Sequence, residues 1–253
     1  MSDAQESFIS HLVELRERLM RAGAAVLVLF VALFFYPGSG YIYDLLAAPL
    51  IHVMGPNAQL IATGVVTPFM IPVKVTAVAA FMIALPYVLY QAWAFVAPGL
   101  YEHEKKLAAP LIVASTFLFF AGVGFCYFFV FGKVFAFIQG FAPKSISPMP
   151  DIEAYFNFVL TMFIAFGVTF EIPIVVILLV RMGIVSVARL ADARPYVIVG
   201  AFIVAAVVTP PDVISQFMLA VPMCILYEAG LFFARFVGTR AKEEAAKEES
   251  GAV

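Results

Sequence analysis

Residues 155–180 read YFNFVLTMFIAFGVTFEIPIVVILLV, an apolar run interrupted by one charged side chain, Glu171. At about 1.5 Å of rise per helical residue, such a run spans the ~30 Å hydrocarbon core of a bilayer. It is not alone. Comparable runs extend over Ala22 to Tyr36, Phe69 to Tyr90, Leu107 to Phe131, Pro195 to Val208 and Val213 to Phe233. Hydrophobic residues make up 64% of the 253 positions and charged residues 13%. Soluble domains sit near 45–50% and about 25%, so a water-soluble fold is excluded. The predicted fold class is an all-α membrane protein of six transmembrane helices. The fifth and sixth are short, and the fifth rises only about 21 Å, so it must thin the bilayer or lean on neighbours.

The positive charges give the orientation. With the N-terminus cytoplasmic, that side receives Arg16, Arg18, Arg21, Lys105, Lys106, Arg181, Arg189, Arg194, Arg235, Arg240, Lys242 and Lys247. The opposite side receives Lys74, Lys133 and Lys144, which completes the 15 basic residues. The bias predicts both termini inside and an even number of spans. The predicted organisation is one polytopic membrane domain over 1–237, opened by an interfacial helix at 1–19. A charged cytoplasmic tail over 238–253 follows, as a frayed helix or a flexible segment. The external stretch Pro37 to Pro68 contains a helix-like piece, YIYDLLAAPLIHVM, while Gly132 to Glu153 is less regular. The polar, acidic opening predicts no cleavable signal peptide. The two halves show no matching pair of interrupted helices, which weakens an inverted-repeat transporter.

Near the N-terminus, Phe8, Leu12, Leu15 and Leu19 form one apolar helical stripe. Asp3 and Glu6 fit a capping box ahead of it. Glu14–Arg18 and Glu17–Arg21 are i,i+4 pairs with the acid first, which as plain surface pairs would only support the helix. The first cytoplasmic loop places Glu102 and Glu104 beside Lys105 and Lys106. Those carboxylates suit a cationic ligand, guanidinium above all, or are neutralised by the adjacent lysines. HEKKL lacks the second His of a zinc-protease motif.

Glu171 lies within the fourth span, where an ionised carboxylate costs several kcal/mol unless paired, hydrated or protonated. Pro173 nearby predicts a distorted helix there. TPPD over 209–212 predicts a tight hairpin, with Asp212 and Ser215 as caps of the last helix. Glu228 is expected to pair with Arg235 or to lie at the interface. His11, His52 and His103 are scattered, and Cys126 and Cys224 each sit in an apolar run, so neither a metal site nor a disulfide is expected.

Taken in order, HLVELRERL at 11–19, APLI at 48–51, TPF at 67–69 and YQAWAFVAPGLYEHEKK at 90–106 resemble the TatC family. So do AFGVTFEIP at 165–173, RPYVIVGAF at 194–202 and TPPDVISQ at 209–216. That family is the polytopic core of the twin-arginine protein translocase, and the resemblance covers all but the tail. It implies a receptor in the bacterial inner membrane for signal peptides carrying paired arginines. Glu14 and Glu104 would accept the arginines and Phe95 would shape their site. Glu171 would be the polar residue of the concave membrane face. Asp212 would belong to the external cap and Pro49 to the first external loop. Partners would be folded cargo, small single-span subunits of TatA and TatB type, and further copies of the chain within a receptor complex. The lipid bilayer is its medium. No cofactor, metal or nucleic acid is implied.

Two other classes compete. A small-solute transporter would line its path with Glu171 and Lys74. An intramembrane protease would need a GxSG, an HExxH or paired intramembrane aspartates. PGSG at 37–40 is not the first, and the other two are absent from the sequence.

Overall fold

The computed structural model describes residues 2–54, 60–96, 108–141, 149–209 and 212–251. Within these, side chains are left out at 2–9, 49, 52–54, 96, 108, 139, 141 and 237–251. The described residues are helical, and one isolated bridge, Ile61 to Asp151, is their sole β pairing. In chain order the helices are α1 (Ser2–Leu33), α2 (Ser39–Met54), α3 (Thr67–Val96), α4 (Ala108–Phe125) and α5 (Phe131–Phe141). They continue with α6 (Ile152–Phe170), α7 (Ile172–Arg181), α8 (Val187–Asp192), α9 (Arg194–Val208) and α10 (Val213–Gly251). Five helical stretches are long and apolar enough to cross a membrane: Ser10–Ala48, Thr67–Phe95, Ala109–Ile138, Ile152–Arg181 and Val213–Phe236. Arg194–Val208 is a shorter sixth.

Two boundaries differ from the expected ones, and a third agrees. The interfacial segment and the first span form one uninterrupted helix, α1. A polar amphipathic stretch and an apolar one share the same backbone, and only their surroundings change between them. PGSG ends the first span as expected: the chain leaves helical geometry at extended Tyr36 (φ −147°, ψ 123°) and kinks before α2 begins at Ser39. Gly38 there takes φ +98°, a conformation that L side chains avoid. The fourth span is two helices, α6 and α7, with Glu171 between them. Pro173 starts the second, where its missing N–H costs nothing.

The chain divides into two compact units. The first gathers Met1–Thr116 and Ser147–Leu160. In it α3 packs along α1 and against α2, burying Ile71, Val75, Ala80, Ala84 and Leu85. The start of α6 is pinned to α2. The Tyr155 hydroxyl donates to the Leu46 carbonyl at 2.9 Å, and the Tyr43 ring lies 4.7 Å from that of Phe156. Asp151 is the N-cap of α6. One carboxylate oxygen accepts from the Ala154 amide at 3.1 Å, and the other from the Thr63 hydroxyl and amide at 2.8 and 3.2 Å. Glu153 then accepts from Thr67 Oγ1 at 3.1 Å and meets Lys74 Nζ at 3.7 Å. A shallow groove of about 420 Å³ runs along α1 beside α3, lined by Arg21, Ala24, Ala25, Val28, Leu29 and Tyr87.

The second unit gathers Phe117–Ile146 and Thr161–Val253. Its central element is α10, packed on α7, α9, α8 and α5. Close approach depends on small residues. A Cβ on Gly230 would lie 2.9 Å from Pro173 Cα and 3.0 Å from Val176 Cβ. One on Gly122 would meet the Phe166 carbonyl oxygen at 2.5 Å. Around Gly122 the rings of Phe125, Phe166 and Phe170 cluster at about 5.8 Å between centroids. The α9–α10 hairpin is tied by Gln216 Nε2 donating to the Phe202 carbonyl at 3.3 Å and by the Phe202–Phe217 edge contact. With 15 residues, α9 is about 22 Å long, short of a full bilayer core.

Candidate functional site

On α1, His11, Glu14 and Arg18 fall at i, i+3 and i+7, which sets them along one face. The first of them meets α3: the His11 imidazole stacks on the Phe95 ring, centroids 4.3 Å apart and planes 20° apart. One turn on, the Glu14 carboxylate lies between two cations or potential cations. Its Oε1 accepts from Arg18 Nε at 2.9 Å and Nη2 at 2.5 Å, while its Oε2 is 3.9 Å from His11 Nδ1. The Glu14 side chain is 33% exposed and that of Arg18 22%. The next pair, Glu17 and Arg21, has the same spacing but is 62% exposed at both ends, with a looser 3.4 Å contact. The face bearing His11 is therefore the one that α3 partly shields.

Glu14 and Phe95, which the family resemblance assigns to one site, both lie close to His11. In the sequence His11 counts only as one of three scattered histidines, and its three-residue offset from Glu14 is the signal for a role beside that carboxylate. Glu104 and Glu102 lie outside the described residues. So do the side chains of Asp3, Glu6, Phe8 and Pro49, the last of which belongs to the backbone of α2.

The other predicted residues belong to the second unit. Glu171 is half-buried at the joint between α6 and α7. Its amide donates to the Val168 carbonyl, and its carbonyl accepts from the Val175 amide, each at 3.0 Å, so the chain bends there with its backbone hydrogen bonds kept. Asp212 caps α10 as expected, its Oδ1 accepting from the Ser215 amide at 2.7 Å. Ser215 is buried and donates that amide, so it is the capped residue rather than a second cap.

Glu228, expected beside Arg235 or at the interface, takes two hydrogen bonds from Arg194, with the Arg235 charge also within reach. Nε donates to Oε1 at 2.5 Å and Nη2 to Oε2 at 3.0 Å. The neighbouring Tyr227 hydroxyl donates to the Leu190 carbonyl at 2.7 Å, so α8 and the start of α9 are fastened to α10 by two adjacent residues. Lys74, which a transporter would need along its path, is engaged with Glu153. Among the described residues no cluster of three or more His, Cys, Asp or Glu side chains could hold a metal ion.

The fold and its polar side chains define a polytopic α-helical membrane protein. Among the described residues several of its carboxylates cap helices, as Asp151 and Asp212 do, or pair with basic side chains, as Glu14, Glu17, Glu153 and Glu228 do. The sequence model described as "Sec-independent protein translocase protein (TatC)" matches residues 10–222. TatC of Haemophilus influenzae is 49% identical over 249 residues, 98% of this chain and 96% of that protein. TatC of Escherichia coli is 46% identical over 91% of this chain and 89% of its own length. The crystal structure of a twin arginine translocase receptor, TatC, superposes with a TM-score of 0.79 at 36% identity. It covers 90% of this chain and 99% of that one. The chain belongs to the TatC family of Sec-independent protein translocase proteins.

Proposed function

We propose that this chain is the receptor subunit of a twin-arginine translocase, a transport protein and not an enzyme. It lies in the bacterial inner membrane with both termini cytoplasmic, the orientation favoured by 12 of its 15 basic residues. It binds the paired arginines of signal peptides on folded cargo through Glu14 and Glu104, with Phe95 forming one wall of the site. A chain of this size cannot itself enclose a folded protein. Its task is to dock cargo and to gather single-span TatA- and TatB-type subunits and further copies of itself for export driven by the proton gradient.

The observation that supports the reading is the partly shielded Glu14 carboxylate, held by Arg18 one turn from the His11 ring that stacks on Phe95. A carboxylate at a partly desolvated surface binds guanidinium through two parallel hydrogen bonds, which an ammonium cannot reproduce. Glu171, at the bend of an apolar span, is assigned the polar role within the membrane face. Asp212 and Pro49 are assigned to the external cap and the first external loop. The apolar part of the signal peptide is assigned to the short fifth and sixth spans, Pro195 to Val208 and Val213 to Phe233.

Photo-crosslinking tests the assignment. A photoreactive phenylalanine analogue at position 95 is expected to capture a twin-arginine signal peptide and to lose it to excess unlabelled peptide. Capture of twin-lysine and twin-arginine peptides with equal yield would contradict it.

A further inference from the structure

Glu14 is the expected acceptor of an arginine, yet an arginine of the same helix already holds it. Arg18 places both Nε and Nη2 on Oε1, at 2.9 and 2.5 Å, and its side chain is the more shielded of the two at 22% exposed. The Glu17–Arg21 pair is an internal comparison. It has the same residue types and spacing on the same helix, but it is 62% exposed, with one contact at 3.4 Å. Arg18 is therefore closed onto its carboxylate by more than the ordinary reach of an i,i+4 pair. The second oxygen, Oε2, lies 3.9 Å from His11 Nδ1, beyond a hydrogen bond.

We propose that Arg18 is a resident guanidinium that pre-occupies Glu14, an internal competitor that sets the affinity threshold of the receptor site. The inference rests on the reading of Glu14 as an acceptor. An incoming arginine enters at Oε2 and displaces Arg18 by exchanging one forked guanidinium for another, so the carboxylate is never left bare. An incoming lysine must displace the same two donors at the same cost and regains only a point charge. The resident group therefore weakens both ligands by one factor and holds the lysine ligand, already the weaker, below useful affinity. The cost to the correct ligand is small, because partly exposed ion pairs are weak.

The test uses the full chain in detergent, with fluorescent twin-arginine and twin-lysine signal peptides. Arg18→Gln is expected to tighten twin-arginine binding by about two- to fivefold, the range that such a pair supports. It should tighten twin-lysine binding by the same factor, so that both affinities rise while their ratio is kept. Arg21→Gln is the matched control and leaves both affinities unchanged. Arg18→Lys, which keeps the charge without the fork, should fall between Arg18→Gln and the wild type. Thermal melting of each variant separates these effects from loss of fold, and a merely structural Arg18 would tighten neither peptide when removed. If Glu14→Gln abolishes the preference while Arg18→Gln leaves both affinities and their ratio as in the wild type, the inference is overturned and the receptor reading stands. If Glu14→Gln itself changes nothing, Glu14 is not an acceptor, and the role given to Arg18 is overturned with it.

Discussion

The Arg194 guanidinium grips the Glu228 carboxylate through two hydrogen bonds, Nε to Oε1 and Nη2 to Oε2, joining the first residue of α9 to the middle of α10. Parallel two-point contact of this kind is the strongest geometry open to an ion pair, although both side chains are substantially exposed. Arg194→Gln and Glu228→Gln are each expected to lower the melting temperature slightly. The double variant should lose less than the two single losses added together. Strict additivity in that thermal double-mutant cycle would show that the pair does not act as a unit.

Gly230 is held at a close approach rather than by a turn. A Cβ there would meet Pro173 Cα at 2.9 Å and Val176 Cβ at 3.0 Å, and the first of these is backbone that cannot swing away. Gly230→Ala is expected to destabilise by on the order of 1–3 kcal/mol, the usual cost of overpacking. Gly200→Ala in α9 is the control. Nothing lies within 4 Å of its Cβ position, so that change should be neutral or mildly stabilising. Equal melting temperatures for the two variants would contradict the packing.

Asp151 gives the segment 60–66 its pH dependence. The Ala154 amide, then the Thr63 hydroxyl, hold its carboxyl below the ordinary value of 3.8. A carboxyl depressed in the folded state binds fewer protons there than in the unfolded chain, so its contribution rises with pH. The contribution is complete above about pH 3.8 and is lost as the pH falls through the lower, folded value. Hydrogen exchange of 60–66, corrected for intrinsic rates, should therefore lose protection at acidic pH. In Asp151→Ala the protection should already be weaker at neutral pH. An unchanged profile in the variant would show that Thr63 and Ala154 do not depend on this carboxylate.

Much of this architecture is legible in the residues, and what is not has a common physical cause. Apolar runs locate the six spans because the bilayer imposes length and composition together. Both predicted pairs on α1, Glu14–Arg18 and Glu17–Arg21, are present because i,i+4 contacts need only the local helix. Asp212 caps α10 for the same local reason. The His11–Phe95 stack, the Thr63–Asp151 lock and the choice of Arg194 for Glu228 join segments far apart in the chain. No local pattern encodes them. The continuity of α1 was missed because composition changes where the backbone does not. The division of the fourth span was half visible, since Pro173 announces a bend while its location at Glu171 follows from packing.

Orientation is independently testable. Reporter fusions at the C-terminus and in the 60–66 segment are expected to give opposite compartments, the C-terminal one cytoplasmic. The same compartment for both would require an even number of crossings between them and would overturn the charge-based topology.

The central claim is recognition of paired arginines, and binding of a fluorescent twin-arginine signal peptide to the detergent-purified chain tests it most directly. The comparison is with a twin-lysine peptide and with a Glu104→Ala variant. The account predicts clearly tighter binding of the arginine peptide by the wild type and loss of that preference in the variant. Equal binding in all three cases by properly folded protein would contradict the carboxylate mechanism and, with it, the receptor role assigned to this chain alone.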